Sequence, residues 1–237
     1  IDTLQEEKIV KLWKIFNELC EEGKWEDATD AGNDVENAVL ACGGMPDMYD
    51  IRQWTDNTGE NMNAYMNLNA VKDKLNIPDD YEWITADDSG PVTDNLKADN
   101  MKDVTPLFLP LLDEMNGENP AYKLLFYTGN FDMSACGYTG TEKVLQNLRG
   151  KDDEKWKYQK NWNELKRKVW VNPPSATNGF VKSYANLTQV TVPGAGHLVP
   201  LNKPVISREM LYAWLLNNGE FPAYDPLKYF KPLYKGE

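Results

Sequence analysis

Leu187-Thr188-Gln189-Val190-Thr191-Val192, then Pro193, then Gly194-Ala195-Gly196-His197-Leu198-Val199-Pro200, is the stretch on which the fold of this 237-residue chain turns. Its first six residues read as a buried β-strand. The strand runs into two glycines and then the only histidine of the chain. That order places an imidazole on a loop at a strand's C-terminal edge, where open α/β sheets hold their ligands. The glycines permit positive φ and close approach of another group. A solitary histidine is usually a surface residue or a satisfied core residue. A catalytic one needs a carboxylate to orient it and a nucleophile to serve.

The carboxylate has a candidate. Lys123-Leu124-Leu125-Phe126-Tyr127-Thr128 is a continuous apolar run of the kind buried in a parallel sheet. It ends in Gly129-Asn130-Phe131-Asp132, and a helix-like stretch over residues 142–148 follows. Asp132 thus lies just past a strand end, as His197 does, with room between them for a crossover helix and a further strand. Aspartate is also common in plain turns, so its pairing with His197 is what singles it out. The order Asp before His fits the Ser, Asp, His order of α/β-hydrolases.

The nucleophile has none. Of the five serines, Ser89, Ser134, Ser175, Ser183 and Ser207, none has glycine at both −2 and +2, as a nucleophile elbow requires. Only Ser89 precedes Asp132, and Asp87-Asp88-Ser89-Gly90-Pro91 reads as an acidic turn. Cys20 falls on a helix face, Cys42 at a helix end, and Cys136 on the wrong side of Asp132 in sequence.

At these residues the chain resembles the serine carboxypeptidases, in particular their vitellogenic-like and retinoid-inducible branch. Leu124-Leu125-Phe126-Tyr127-Thr128-Gly129-Asn130-Phe131-Asp132 is similar to that family's strand bearing the triad aspartate, and Gly194-Ala195-Gly196-His197-Leu198-Val199-Pro200 to its histidine motif. Phe180-Val181-Lys182-Ser183-Tyr184-Ala185-Asn186-Leu187 and Asn69-Ala70-Val71-Lys72-Asp73-Lys74-Leu75 also read like family segments. The resemblance implies an α/β fold: the C-terminal half of an α/β-hydrolase with part of a helical cap. Residues 1–60 would be the cap segment and residues 61–237 the C-terminal part of the core.

It further implies removal of C-terminal residues from peptides, with Asp132 and His197 catalytic and Leu198 and Met133 near the substrate pocket. The family commonly has Met after its histidine, where this chain has Leu198, a swap that roughly conserves volume. The serine, the oxyanion donors and the groups that recognise the substrate carboxylate would lie on an N-terminal chain of the same precursor. Alternatives are a carboxypeptidase-like acyltransferase and an inactive relative kept for binding or structure. No cofactor is implied.

Composition sets further bounds. The chain is long enough for one domain with a sizeable core. No run of 18 apolar residues predicts a membrane span. A net charge of −12 argues against nucleic acid or an anionic membrane as partner. The start, Ile1-Asp2-Thr3, reads as the interior of a longer precursor. Three cysteines, an odd number, suggest a free thiol or an inter-chain disulfide. The sequon at Asn186 suggests glycosylation and the secretory pathway, hence lysosomal, vacuolar or secreted residence. One histidine and scattered cysteines predict no metal cluster.

Along the chain, Thr3-Leu4-Gln5-Glu6 looks like a capping box. It opens a helix with Ile9, Leu12, Trp13, Phe16, Leu19 and Cys20 on one face, ended by Gly23. A second helix from Trp25 carries Ala28, Val35, Val39 and Cys42. Residues 46–62 read as loop, 69–75 as helix, 79–103 as an irregular acidic segment and 104–115 as helix. Trp156, Tyr158, Trp162 and Trp170, among lysines over residues 151–171, read as strands with solvated lysines. Strands near 180–184 and 187–192 follow. A closing helix over 205–217 would bury Ile206, Met210, Leu211, Trp214 and Leu215.

Overall fold

The computed structural model describes residues 2–54, 60–84, 90–113, 122–133, 136–150, 152–172, 176–216 and 219–221. The chain forms two compact units. One joins Ile1–Asp47 to Arg52–Asp103; the other joins Met48–Ile51 to Val104–Glu237. The first unit therefore runs past residue 60, where the sequence reading draws its boundary.

The first unit is helical. Helices α1 (Thr3–Glu21) and α2 (Trp25–Cys42) form a hairpin. The capping box that opens α1 lies one residue earlier than expected: Asp2 Oδ1 accepts from Gln5 N at 2.9 Å and Gln5 Oε1 accepts from Asp2 N at 2.8 Å. Gly23 takes φ +70° where the chain reverses. Ala28, Thr29 and Leu40 are the buried residues of α2, and Thr29 Oγ1 donates to Lys97 O at 2.8 Å. Helices α3 (Glu60–Met66), α4 (Asn69–Leu75) and α5 (Pro91–Leu96) follow. The acidic segment expected to be irregular thus contains α5, with Pro91 in its first turn, where proline is tolerated.

The second unit is built on a sheet. A short helix, α6 (Phe108–Asp113), precedes strand β1 (Leu124–Gly129). Helices α7 (Tyr138–Gln146) and α8 (Gln159–Glu164) lead to β2 (Lys168–Asn172), β3 (Ala176–Tyr184) and β4 (Leu187–Val192). Helices α9 (Val199–Asn202) and α10 (Pro204–Leu216) follow. The strand order is β1-β4-β3-β2, with β1 parallel to β4 and the other pairs antiparallel.

Side chains alternate across the sheet. One face packs Leu124, Phe126, Tyr184 and Leu187 with Leu109, Leu112, Leu145, Leu148, Trp156 and Trp162. The other packs Leu125, Trp170, Val181, Val190 and Val192 with Ala195, Val199, Ile206 and Met210. The strand reading of residues 151–171 is thereby corrected, since α8 is a helix and only β2 is a strand. Trp156, Trp162 and Trp170 are buried. In α10 the buried residues are Ser207, Met210 and Ala213, while Leu211 and Leu215 are exposed. Of the expected stripe, Met210 is buried and Ile206 and Trp214 are half-buried, whereas Leu211 and Leu215 are not.

One charged side chain enters the aromatic face. Lys182 is 3% exposed, and its Nζ lies 4.9 Å from the centroid of the Trp162 ring. Burial pushes its ammonium pKa down, the Glu142 carboxylate pulls it up and the Arg167 guanidinium lowers it further.

Candidate active site

The site begins with the pairing of β1 and β4. Their parallel register runs from Leu124 opposite Leu187 to Gly129 opposite Val192, so both strands end at the same edge. The loops that follow leave side by side and are laced together. Asn130 N donates to Val192 O at 3.3 Å, Phe131 N donates to Ala195 O at 2.9 Å, and Asn130 Oδ1 accepts from Gly194 N at 2.8 Å. A side chain at Gly129 would overlap the carbonyl oxygens of Ala195 and Gly196, so glycine there is a condition of the crossing. Gly194 takes φ +74°, which the turn requires. Asn202 Oδ1 accepts from Gly196 N at 2.8 Å and holds the loop from the α9 side.

This lacing brings the two predicted residues into contact. His197 Nδ1 lies 2.8 Å from Asp132 Oδ2. The Asp132 side chain is 1% exposed and that of His197 31%. A carboxylate oxygen accepts, so the imidazole donates to Asp132 from Nδ1, and Nε2 is its other ring nitrogen. Asp132 Oδ2 also accepts from Cys136 N at 3.2 Å, which steadies the carboxylate. The ring of Tyr49 packs against the imidazole, 5.2 Å between centroids and tilted by 47°. Asp132 and His197 thus form a hydrogen-bonded pair: an oriented, half-exposed imidazole against a desolvated acceptor.

Met133 follows Asp132 and is half-buried, its N–H donating to Met48 O at 3.2 Å; Leu198 follows His197 and is exposed. Ser183 lies in β3 and Ser207 is buried in α10. Ser89, Ser134 and Ser175 lie outside the described residues.

Cys136 behaves unlike an activated nucleophile. Burial, and then the neighbouring Asp132 carboxylate, push its thiol pKa up, whereas thiolate catalysis needs it lowered. Fold proximity also overturns the expectation that no metal-ligating residues cluster. One ligating atom each of Asp132, Cys136 and His197 lies within 4.8 Å of the others. The hydrogen bond between Asp132 and His197 already engages two of the three.

Asn186, the sequon residue, is largely buried. It is 9% exposed and its Nδ2, the atom a glycan would occupy, donates to Leu112 O at 3.0 Å. That bond ties the turn between β3 and β4 to α6. Cys20, Cys42 and Cys136 are free thiols. No helix among the described residues is long and apolar enough to cross a membrane.

Sequence reasoning missed the segment Met48–Ile51, which sits beside the dyad. It falls in a stretch read as plain loop, and nothing in its composition marks a long-range contact. Asn202 was equally silent.

The serine carboxypeptidase family model matches residues 12–217. The chain belongs to the serine carboxypeptidase family. It is 25% identical over 225 residues to serine carboxypeptidase-like 50 of Arabidopsis thaliana, covering 95% of this chain and 47% of that protein. It is 26% identical over 229 residues to the probable serine carboxypeptidase CPVL of Dictyostelium discoideum, covering 94% and 42%. Among solved structures it is similar to Kex1(delta)p, a prohormone-processing carboxypeptidase from Saccharomyces cerevisiae. That likeness has a TM-score of 0.66 and 18% identity over 92% of this chain and 49% of that one. It shows an α/β-hydrolase fold. The chain spans about half the length of these relatives.

Proposed function

We propose that this serine carboxypeptidase chain supplies the aspartate and histidine of a Ser-His-Asp triad that removes C-terminal residues from peptides. The serine is carried by an N-terminal chain of the same precursor. The observation that carries this is the 2.8 Å contact between His197 Nδ1 and the buried carboxylate of Asp132, with the other edge of the ring left to meet a nucleophile. Supporting it, no serine of this chain stands in an elbow pattern, and its relatives are about twice as long.

In this reading His197 Nε2 takes the hydroxyl proton of the serine as its oxygen attacks the scissile carbonyl. The proton then passes to the departing amine of the C-terminal residue, leaving an acyl-enzyme. Water repeats the sequence, giving up a proton to Nε2 and releasing the shortened peptide and the serine. Asp132 holds the tautomer and stabilises the imidazolium throughout. Oxyanion donors come from the N-terminal chain. Met133 and Leu198 border the substrate pocket, and residues 1–60 form part of a cap. One of the free thiols bonds the two chains, and the enzyme resides in the secretory pathway, lysosomal, vacuolar or secreted.

Intact mass of the native protein tests the arrangement. A heavier species that separates into two chains on reduction is expected, with release of single C-terminal residues from a peptide panel. A native protein that transfers acyl groups to an alcohol and leaves peptides intact would instead indicate the acyltransferase. A protein that never reacts with a serine-directed phosphonate would indicate an inactive relative.

A further inference from the structure

We infer that the four residues Met48–Ile51 form a strap that sets the aspartate loop and the histidine loop against each other. The strap makes Tyr49, Ile51 and Gly196 positioning residues for the dyad. This deepens the reading of Asp132 and His197 as catalytic and rests on it. The strap is remote from both loops in sequence, yet it belongs to the same compact unit.

Three main-chain hydrogen bonds define it. Met133 N donates to Met48 O at 3.2 Å, Ile51 N donates to Phe131 O at 3.2 Å, and His197 N donates to Tyr49 O at 2.7 Å. The first two engage the residues on either side of Asp132. The third, the shortest, falls on His197 itself. The loops also touch each other directly, but those bonds involve Asn130, Phe131, Gly194 and Ala195, ahead of the reacting pair. The strap is what ties them at the level of the dyad.

Two further observations agree. A side chain added at Gly196 would overlap Tyr49 O and lie 2.7 Å from Asp50 Cβ, so Gly196 is small because the strap crosses over it. The Tyr49 ring also lies on the imidazole of His197, which is otherwise half-exposed. A displacement of about 1 Å in such a pair can cost about 100-fold in rate. The strap therefore acts through His197 and Asp132.

Because the contacts are main-chain, the test deletes an amide and spares a side chain. In the native assembled enzyme, Ile51→Pro removes the N–H that reaches Phe131, whereas Ile51→Ala keeps it and loses only an exposed side chain. Gly196→Ala displaces the strap independently, should the proline variant fail to fold. The readouts are kcat and KM, together with the low-field imidazole N–H resonance identified by its loss in His197→Ala.

Ile51→Pro and Gly196→Ala are expected to lower kcat by about 100-fold with little change in KM, and to shift or broaden that resonance. Ile51→Ala, which keeps the amide, should lose far less than Ile51→Pro. An unmoved resonance and unchanged kcat in both strap variants would overturn the inference, as would an equal loss in Ile51→Ala. If the resonance moves in the strap variants while His197→Ala keeps full activity, the strap stands and the catalytic reading fails.

Discussion

The two compact units use their apolar side chains in different ways. Helix α1 has no fully buried residue, and Val10, Trp13 and Ile15 along it are 45%, 52% and 41% exposed. Strand β4 is buried at all six positions, and its neighbours on both sheet faces are packed tryptophan, leucine and valine. Amphipathic spacing alone produced the helical hairpin, whereas the sheet closes a two-sided core. The difference teaches where function can be held to sub-ångström tolerance. Asp132 and His197 leave from the ends of strands fixed on both faces, so the dyad inherits the rigidity of the core.

The largest expected effect is on chemistry. Asp132→Asn and His197→Ala in the assembled enzyme should each lower kcat/KM by about 10³-fold or more, while thermal melting changes little. A variant that kept activity would separate the rigid edge from catalysis. Next comes the core itself. Trp162→Ala, at a fully buried position, should cost about 3–5 kcal/mol by urea denaturation. Trp13→Ala in α1 should cost well under half of that, since its ring is half in water. Equal costs would erase the contrast between the units.

Much of this was legible in the sequence, and unevenly so. The limits of β4 and the ends of α2 follow from local pattern, because β-branched runs and helical periodicity are local properties. The dyad was legible because strand ends in a parallel pair must fall at one edge, a rule that converts two distant motifs into neighbours. The helix α8 was misread as strand because Trp156 and Trp162 satisfy a long-range core and leave no clear helical period. In α10 Ile206 and Met210 pack into the core as read, while Ser207 and Ala213 are buried and Leu211 and Leu215 are exposed. The bond of Asn186 to Leu112 O was not legible for a similar reason: the two residues are far apart in the chain. The strap at Met48–Ile51 has no sequence mark at all, since its bonds are made by main-chain atoms that every residue carries.

A smaller effect probes the charged residue inside the aromatic face. The folded pKa of Lys182 lies below its ordinary value, so the folded state disfavours the ammonium. That penalty is present in full below the folded pKa and is relieved as pH rises from there toward the ordinary lysine value. Lys182→Met should therefore stabilise the chain at neutral pH and abolish a rise in stability on the alkaline side. Denaturant midpoints across that range check it, and an unchanged slope would contradict it. The smallest effect is at the helical hairpin, where Asp2→Ala removes the cap of α1 and should cost about 1 kcal/mol. Loss of helical circular dichroism on heating would show it, with no change in the dyad.

The central claim is that this chain brings the aspartate and histidine to an active site whose serine lies outside its 237 residues. Its most direct test labels the native enzyme with a serine-reactive phosphonate, digests it and locates the modified residue by mass spectrometry. The account predicts a labelled serine in no peptide of this chain, and loss of labelling when His197 is replaced by alanine. A label on one of the five serines of this chain, or labelling indifferent to His197, would contradict it.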